Sequence, residues 1–273
     1  MHKYPWDRVY KVGAANDEIV VKYGHGVKEY ESQVLIFLER YVPTIPAPRL
    51  YAMYRDLDTR EMFLIMQRIP GERLESVWPT LTESEKDDLV VKLRQIFNSL
   101  KEVQCAKPDF YGGLDGGFLR HYLFHNRKGG KPKALGPFQG EASFVAGLVG
   151  NFRAQVEKNR RPDYKVRFYK THLATVLQGH RPTLTHGDVQ MKNIMVAEKM
   201  GQPNGQGDRA FHVVFVDWAE AGWYPAFWEF FCASTPFVFL SWEHDWCWRA
   251  LQFLDVFPAE LGIMRRVDKD FGL

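Results

Sequence analysis

The stretch Leu184–Val196 reads LTHGDVQMKNIMV, with His186, Asp188 and Asn193 in a short polar run between apolar flanks. Two readings compete. His, Asp and Asn are ordinary turn residues, and Asp and Asn side chains readily bond their own backbone. They are also the residues a catalytic loop needs, one carboxylate and one amide a few positions apart. The spacing H-x-D-x-x-x-x-N by itself leaves both readings open.

The sequence downstream favours the second. Asn193 leads into NIMVAEK, and AFHVVFVDW follows, so two β-rich runs frame the Gly-rich connection MGQPNGQGDR, expected to be a flexible exposed hairpin loop. Asp217 stands at the end of the second run. A polar loop, a strand pair and a terminal Asp form the order found in protein-kinase-like phosphotransferases. That chemistry asks the protein for positioning and charge neutralisation. One carboxylate takes the proton of the attacking hydroxyl. A nearby amide oxygen and a second carboxylate hold Mg²⁺. As a bland alternative, Asp217 caps a helix.

A third element lies far upstream. Lys22 sits in mid-strand in IVVKYG. It either faces solvent or contacts nucleotide phosphates while paired with a Glu of the next helix. That helix offers Glu29 and Glu31, which point to different sides. Glu31 is preferred because it adjoins the apolar stripe Val34, Leu35, Leu38.

The chain of 273 residues is 45% apolar and 25% charged, with a net charge of +3. These are ordinary values for a globular protein and do not suggest a nucleic-acid binder. The three cysteines, Cys105, Cys232 and Cys247, include no Cys-x-x-Cys pair, which argues against a disulfide framework or thiolate zinc site. MHKYPWDRVY lacks the apolar core of a secretory signal, and the most apolar stretch, Phe227–Trp242, is too short and interrupted to span a bilayer. The expectation is a cytoplasmic protein with no nucleic-acid or membrane partner.

The first 70 residues read as a small α+β lobe: a hairpin (Arg8–Gly13 and Glu18–Gly24), a helix (Val27–Arg40), and a second strand pair in RLYAMYRD and MFLIMQRI. Thr82 and Glu85 have capping-box spacing at the head of a helix over Glu83–Val103. Residues 71–273 read as a larger, mainly helical lobe. Phe110–Phe138 looks irregular, Phe144–Glu157 and Asp163–Leu177 look helical, and the chain after Trp218 looks helical and aromatic to about Phe257.

LTHGDVQMKNIMV and VFVDWAEAGWYP together resemble the aminoglycoside phosphotransferase family, with its choline kinase-type relatives and the fungal small-molecule phosphotransferases. VVKYG and MQRIPGERLESVW are similar to that family's lysine strand and hinge, so the likeness runs from about Arg8 to Phe257. It implies an α+β, bilobal protein-kinase-like fold with ATP and Mg²⁺ bound in a cleft. Asp188 would be the catalytic base, and Asn193 and Asp217 the metal ligands. Lys22 would contact the phosphates, oriented by Glu31. The Gln67 carbonyl and the Ile69 N–H would face adenine. Lys192 would be within reach of the transferring phosphoryl group, or a solvated loop lysine. The product would be a phosphorylated small-molecule hydroxyl compound.

The sequence departs from that pattern in three places. The link AANDE carries no G-x-G-x-x-G, although glycines there let backbone N–H groups approach phosphates. Ala219 stands where the family usually has Glu, and Met191 where Pro is common. The thin phosphate loop keeps a second reading open, a kinase-like binding protein that has lost transfer. The acceptor walls are expected in Tyr111–His125 and Trp223–Trp248, with Glu220, Glu229, Glu243 and Asp245 as acidic candidates among aromatics.

Overall fold

The computed structural model describes residues 7–12, 19–124, 135–234 and 245–272. In chain order the elements begin with strands β1 (Asp7–Val12) and β2 (Ile19–Gly24), then helix α1 (Glu29–Tyr41) and strands β3 (Leu50–Arg55) and β4 (Met62–Gln67). A two-residue strand β5 (Glu72–Arg73), a short helix α2 (Leu74–Val77) and the long helix α3 (Glu83–Glu102) follow. Short strands β6 (Phe110–Tyr111) and β7 (Phe138–Gln139) precede helices α4 (Glu141–Lys158) and α5 (Tyr164–Val176). Then come β8 (Pro182–Thr185), β9 (Ile194–Glu198), β10 (Phe211–Phe215) and β11 (Gly222–Pro225). The chain closes with α6 (Trp228–Ser234), α7 (Trp246–Phe253) and α8 (Pro258–Phe271). The fold is α+β, with a small antiparallel sheet in the N-terminal region and a mainly helical C-terminal region. Backbone proximity groups the chain into two units, Met1–Ile96 with Gln190–Ala219, and Phe97–Val189 with Glu220–Leu273.

In the first unit the antiparallel sheet runs in the order β1-β2-β4-β3. Period-two alternation sorts its residues. Met62, Leu64 and Met66 of β4 are buried, as are Val34, Leu35 and Leu38 of α1. Phe63 points to the other face, where it stacks between Tyr23 and Tyr54 at ring separations of 4.9 and 4.8 Å. The register Lys22↔Leu64 puts Lys22 on the face of the buried residues.

The capping box forms as its spacing predicts. The Thr82 N–H donates to Glu85 at 2.9 Å, and the Glu85 N–H donates to the Thr82 hydroxyl at 3.2 Å. The Gly-rich connection between β9 and β10 differs from the flexible loop expected. Arg209 donates to both oxygens of the buried Glu85 carboxylate at 2.6 and 3.0 Å, and Asn204 donates to Ser84 at 2.8 Å. Glycines favour local freedom, but these contacts, more than a hundred residues apart in sequence, tie the loop to the head of α3. The Arg209 guanidinium holds the Glu85 carboxyl below its usual range, against the opposing effect of burial. A depressed carboxylate stabilises the fold above its unfolded pKa and loses that contribution as pH falls through the folded value. Arg209→Ala is therefore expected to cost about 1–2 kcal/mol at neutral pH, less than a fully buried pair because the arginine is half-exposed. Thermal unfolding followed from pH 7 downward should show the two proteins converging as pH falls through the lowered folded pKa of Glu85. A difference that persisted at low pH would show that the arginine acts through packing.

In the second unit, aromatic and aliphatic side chains form one core, including Tyr111, Phe124, Phe144, Phe152, Tyr224 and Trp228. Three elements differ from the sequence reading. Gly222–Pro225, expected to be helical, is a strand that pairs antiparallel with Pro182–Thr185, with Gly222 opposite Thr185. Prolines close both strands at one end, Pro225 opposite Pro182, which hides a four-residue ladder from any periodicity. Helix α8, Pro258–Phe271, lies wholly beyond the expected helical limit at Phe257. The region read as irregular is bracketed by the β6–β7 pair, Phe110 opposite Gln139 and Tyr111 opposite Phe138.

Candidate active site

Six of the seven expected site residues lie in the first unit, and four of them, Lys22, Glu31, Asn193 and Asp217, are expected to act through their side chains. The Lys22 ammonium donates to Glu31 at 2.7 Å and to Asp217 at 2.9 Å. Glu31 is buried and Glu29 exposed, so the helix presents the residue next to its apolar stripe. Burial alone would depress the Lys22 pKa, but the two carboxylates outweigh it and hold the lysine charged far above neutrality.

The β9–β10 ladder fixes the other two. Ile194 is opposite Phe215, and the Val216 N–H donates to the Asn193 carbonyl at 2.9 Å, which brings Asn193 beside the residue preceding Asp217. Asn193 is buried and closes a 3₁₀ turn over Met191–Asn193. Asp217 has φ +65°, a left-handed conformation uncommon outside glycine. The surroundings hold it there: the Phe215 N–H donates to the Pro46 carbonyl at 2.9 Å, and the fully buried Trp218 donates to the Phe215 carbonyl at 3.0 Å. Strained backbone at a metal-ligand candidate is where such strain concentrates. An amide oxygen and a carboxylate on neighbouring chain segments are hard donors, a set that suits Mg²⁺ completed by phosphate and water.

Gln67 ends β4, and Ile69 lies just beyond it. The Gln67 N–H donates to the Arg49 carbonyl at 2.8 Å. The chain then turns at Gly71, where φ is +91° and a Cβ would lie 2.0 Å from the Val196 carbonyl oxygen, so only glycine lets this segment lie against β9. Lys192 is partly buried within the 3₁₀ turn. The AANDE link, Trp242 and Glu243 lie outside the described residues.

Asp188 belongs to the second unit, and its loop shows a role for Glu229 that the sequence does not signal. Glu229, on α6, accepts the backbone N–H of His186 at 2.6 Å and of Gly187 at 3.1 Å. The Asp188 N–H donates to Nδ1 of the fully buried His186 at 3.2 Å, so His186 braces the turn through an acceptor nitrogen. Gly187 has φ +83°, and a Cβ there would lie 2.6 Å from the Glu220 carbonyl oxygen. Burial pushes Glu229 up to about 7, against the two N–H bonds, which lower it, and with the Asp188 charge, which raises it further. Glu229 had been expected on an acceptor wall. The structure spends its carboxylate on the backbone of the loop instead. Nothing in the local pattern WEFF signals this, because the partners are more than forty residues away.

Solved structures share this fold, which is that of the kinase-like aminoglycoside phosphotransferases. APH(4)-Ia aligns over 99% of this chain and 81% of its own with TM-score 0.58 and 12% identity. The GDP and kanamycin complex of APH(2")-IIIa aligns over 98% and 86% with TM-score 0.54 and 12% identity. An aminoglycoside-3'-phosphotransferase of type VIII aligns over 96% and 88% with TM-score 0.54 and 16% identity. The chain belongs to the phosphotransferase enzyme family, whose model matches residues 6–255. No curated protein matches it by sequence.

Proposed function

We propose that the protein transfers the γ-phosphoryl group of ATP to a hydroxyl of a small molecule. The observation that carries this reading is the part-buried Lys22 held by Glu31 and Asp217, with the Asn193 carbonyl bonded to the residue before Asp217. A charged lysine costs too much to bury without a role for its charge or its partners. Solved relatives of the fold hold ADP with hygromycin B, or GDP with kanamycin, which supports a nucleotide donor and a hydroxylated acceptor.

In this reading residues 1–70 act as the N-lobe and 71–273 as the C-lobe, joined at the Met66–Ile69 hinge, where the Gln67 carbonyl and the Ile69 N–H bind adenine. Lys22, positioned by Glu31, binds the nucleotide phosphates. Asn193 and Asp217 would hold Mg²⁺, which would supply charge screening to the phosphates. Asp188 accepts the proton as the acceptor oxygen bonds to phosphorus. The bond from phosphorus to the β–γ bridging oxygen breaks, and ADP leaves with that electron pair. Lys22 can exchange its contact with Asp217 for phosphate once nucleotide enters.

The expected result is a rise in melting temperature of several degrees at millimolar MgATP, since a ligand that binds only the folded state stabilises it. The shift should shrink without Mg²⁺ and be lost in Asp217→Ala and Lys22→Ala. An unchanged melting temperature in saturating MgATP would sink the proposal. A shift that survives in the wild type with no ADP release toward any hydroxyl compound would favour the second reading, a nucleotide-binding protein without transfer.

A further inference from the structure

Residues 153–170 read RAQVEKNRRPDYKVRFYK, seven Lys and Arg against Glu157 and Asp163. The stretch forms the end of α4, the turn and the start of α5, and most of its cations are exposed. Helix α5 buries Val166, Tyr169 and Leu173 in the core. On the outside it carries a second stripe at intervals of four residues: Tyr164 is 74% exposed, Phe168 55% and Val176 42%, with the exposed His172 ring 5.0 Å from Phe168. Arg167 and Lys170 border the stripe. The core takes the inner face of α5, and Phe168 meets only rings of its own helix among the described ring contacts, Tyr169 at 6.0 Å and His172 at 5.0 Å. Exposed aromatics in a row, rimmed by cations, mark an interaction surface.

A cavity of about 190 Å³ adjoins the start of this helix, walled by Phe152, Val156 and Pro162, with Arg161 and Lys165 beside them. Asp270, which also lines it, is engaged by Lys165 at 2.8 Å, Tyr169 at 2.5 Å and Arg266 at 3.4 Å. Its charge is therefore met within the protein, and Arg161 adds a further cation.

We infer that the outer face of α5 docks on an anionic lipid surface, with its aromatics at the head-group boundary and the surrounding cations against lipid charge. A helix carrying aromatics on one line and Lys and Arg beside them has the composition of an interfacial helix. A recess with apolar walls and cations suits an acidic head group better than it suits a nucleic-acid backbone. The sequence reading excluded a membrane partner because no segment could span a bilayer. Among the described residues no helix is long and apolar enough to cross one, but docking on the surface needs none. The inference is independent of the phosphotransfer reading.

The test is co-sedimentation of the full chain with phosphatidylcholine vesicles, with and without about 30% phosphatidylserine. Partitioning onto the anionic vesicles should be at least about tenfold stronger and should fall steeply at about 0.5 M salt. The double variants Tyr164→Ser with Phe168→Ser, and Arg161→Glu with Lys170→Glu, should each lose about tenfold in partitioning. Both should keep the parent melting temperature, since the substituted positions are exposed or half-exposed. Equal partitioning onto neutral and anionic vesicles would overturn the inference. So would folded variants that partition like the parent, or retention on homopolymer RNA with none on vesicles.

Discussion

Asp188→Asn is expected to lower ATP turnover by about 10³-fold while leaving the melting temperature within about 2 °C of the parent. The substitution removes the basic oxygen but keeps the shape. The loop is held by contacts that do not involve the Asp188 side chain: Glu229 to the N–H groups of His186 and Gly187, and the Asp188 N–H to His186. In the proposed reading the substitution removes the proton acceptor. ADP release and the melting temperature, measured on the same preparation, check the expectation. If Asp188→Asn turned over ATP as fast as the parent, Asp188 would not be the base. A parallel loss of stability would mean that the side chain supports the fold.

Glu229→Ala is expected to reduce both stability and turnover. It leaves two inward-facing N–H groups without an acceptor, at about 1–3 kcal/mol each. In a chain of this size that lowers the melting temperature by on the order of 8 °C. A loop displaced by a fraction of an ångström costs about 10²-fold in turnover. Glu229→Gln separates charge from shape, because it keeps one acceptor oxygen.

The pH dependence carries the sign. Glu229 titrates at about 7 when folded, against an ordinary carboxyl value of 4.5. Between those values the folded state binds more protons than the unfolded chain. Wild-type stability relative to Glu229→Gln should therefore fall as pH rises from about 5 to 7 and level off above. A difference that is flat with pH would show that Glu229 is ionised throughout. If Glu229→Ala kept full stability and turnover, the loop would be held by other contacts.

The membrane-surface inference stands apart from both expectations. Its residues lie on α5 and in the adjoining turn, away from the loop that Glu229 holds. Failure of one therefore leaves the other intact.

Sequence and tertiary structure contributed differently. The sequence alone determined the elements whose signal is local: the H-x-D-x-x-x-x-N spacing, the strand pair ending at Asp217, the capping box at Thr82 and Glu85, and the amphipathic helix after Lys22. It also favoured Glu31 over Glu29, because burial of an apolar stripe decides which neighbouring side chains turn inward. The family resemblance rested on those same local strings.

Only the tertiary structure decided the rest. The Pro182–Thr185 and Gly222–Pro225 ladder is too short, and too rich in proline and glycine, to show a period. The Arg209–Glu85 pair joins residues 124 positions apart, so no window of sequence contains both. Glu229 looked like one acid among aromatics until the chain brought it under the backbone of His186 and Gly187. A carboxylate's role depends on which N–H groups face it, and its local sequence does not specify them.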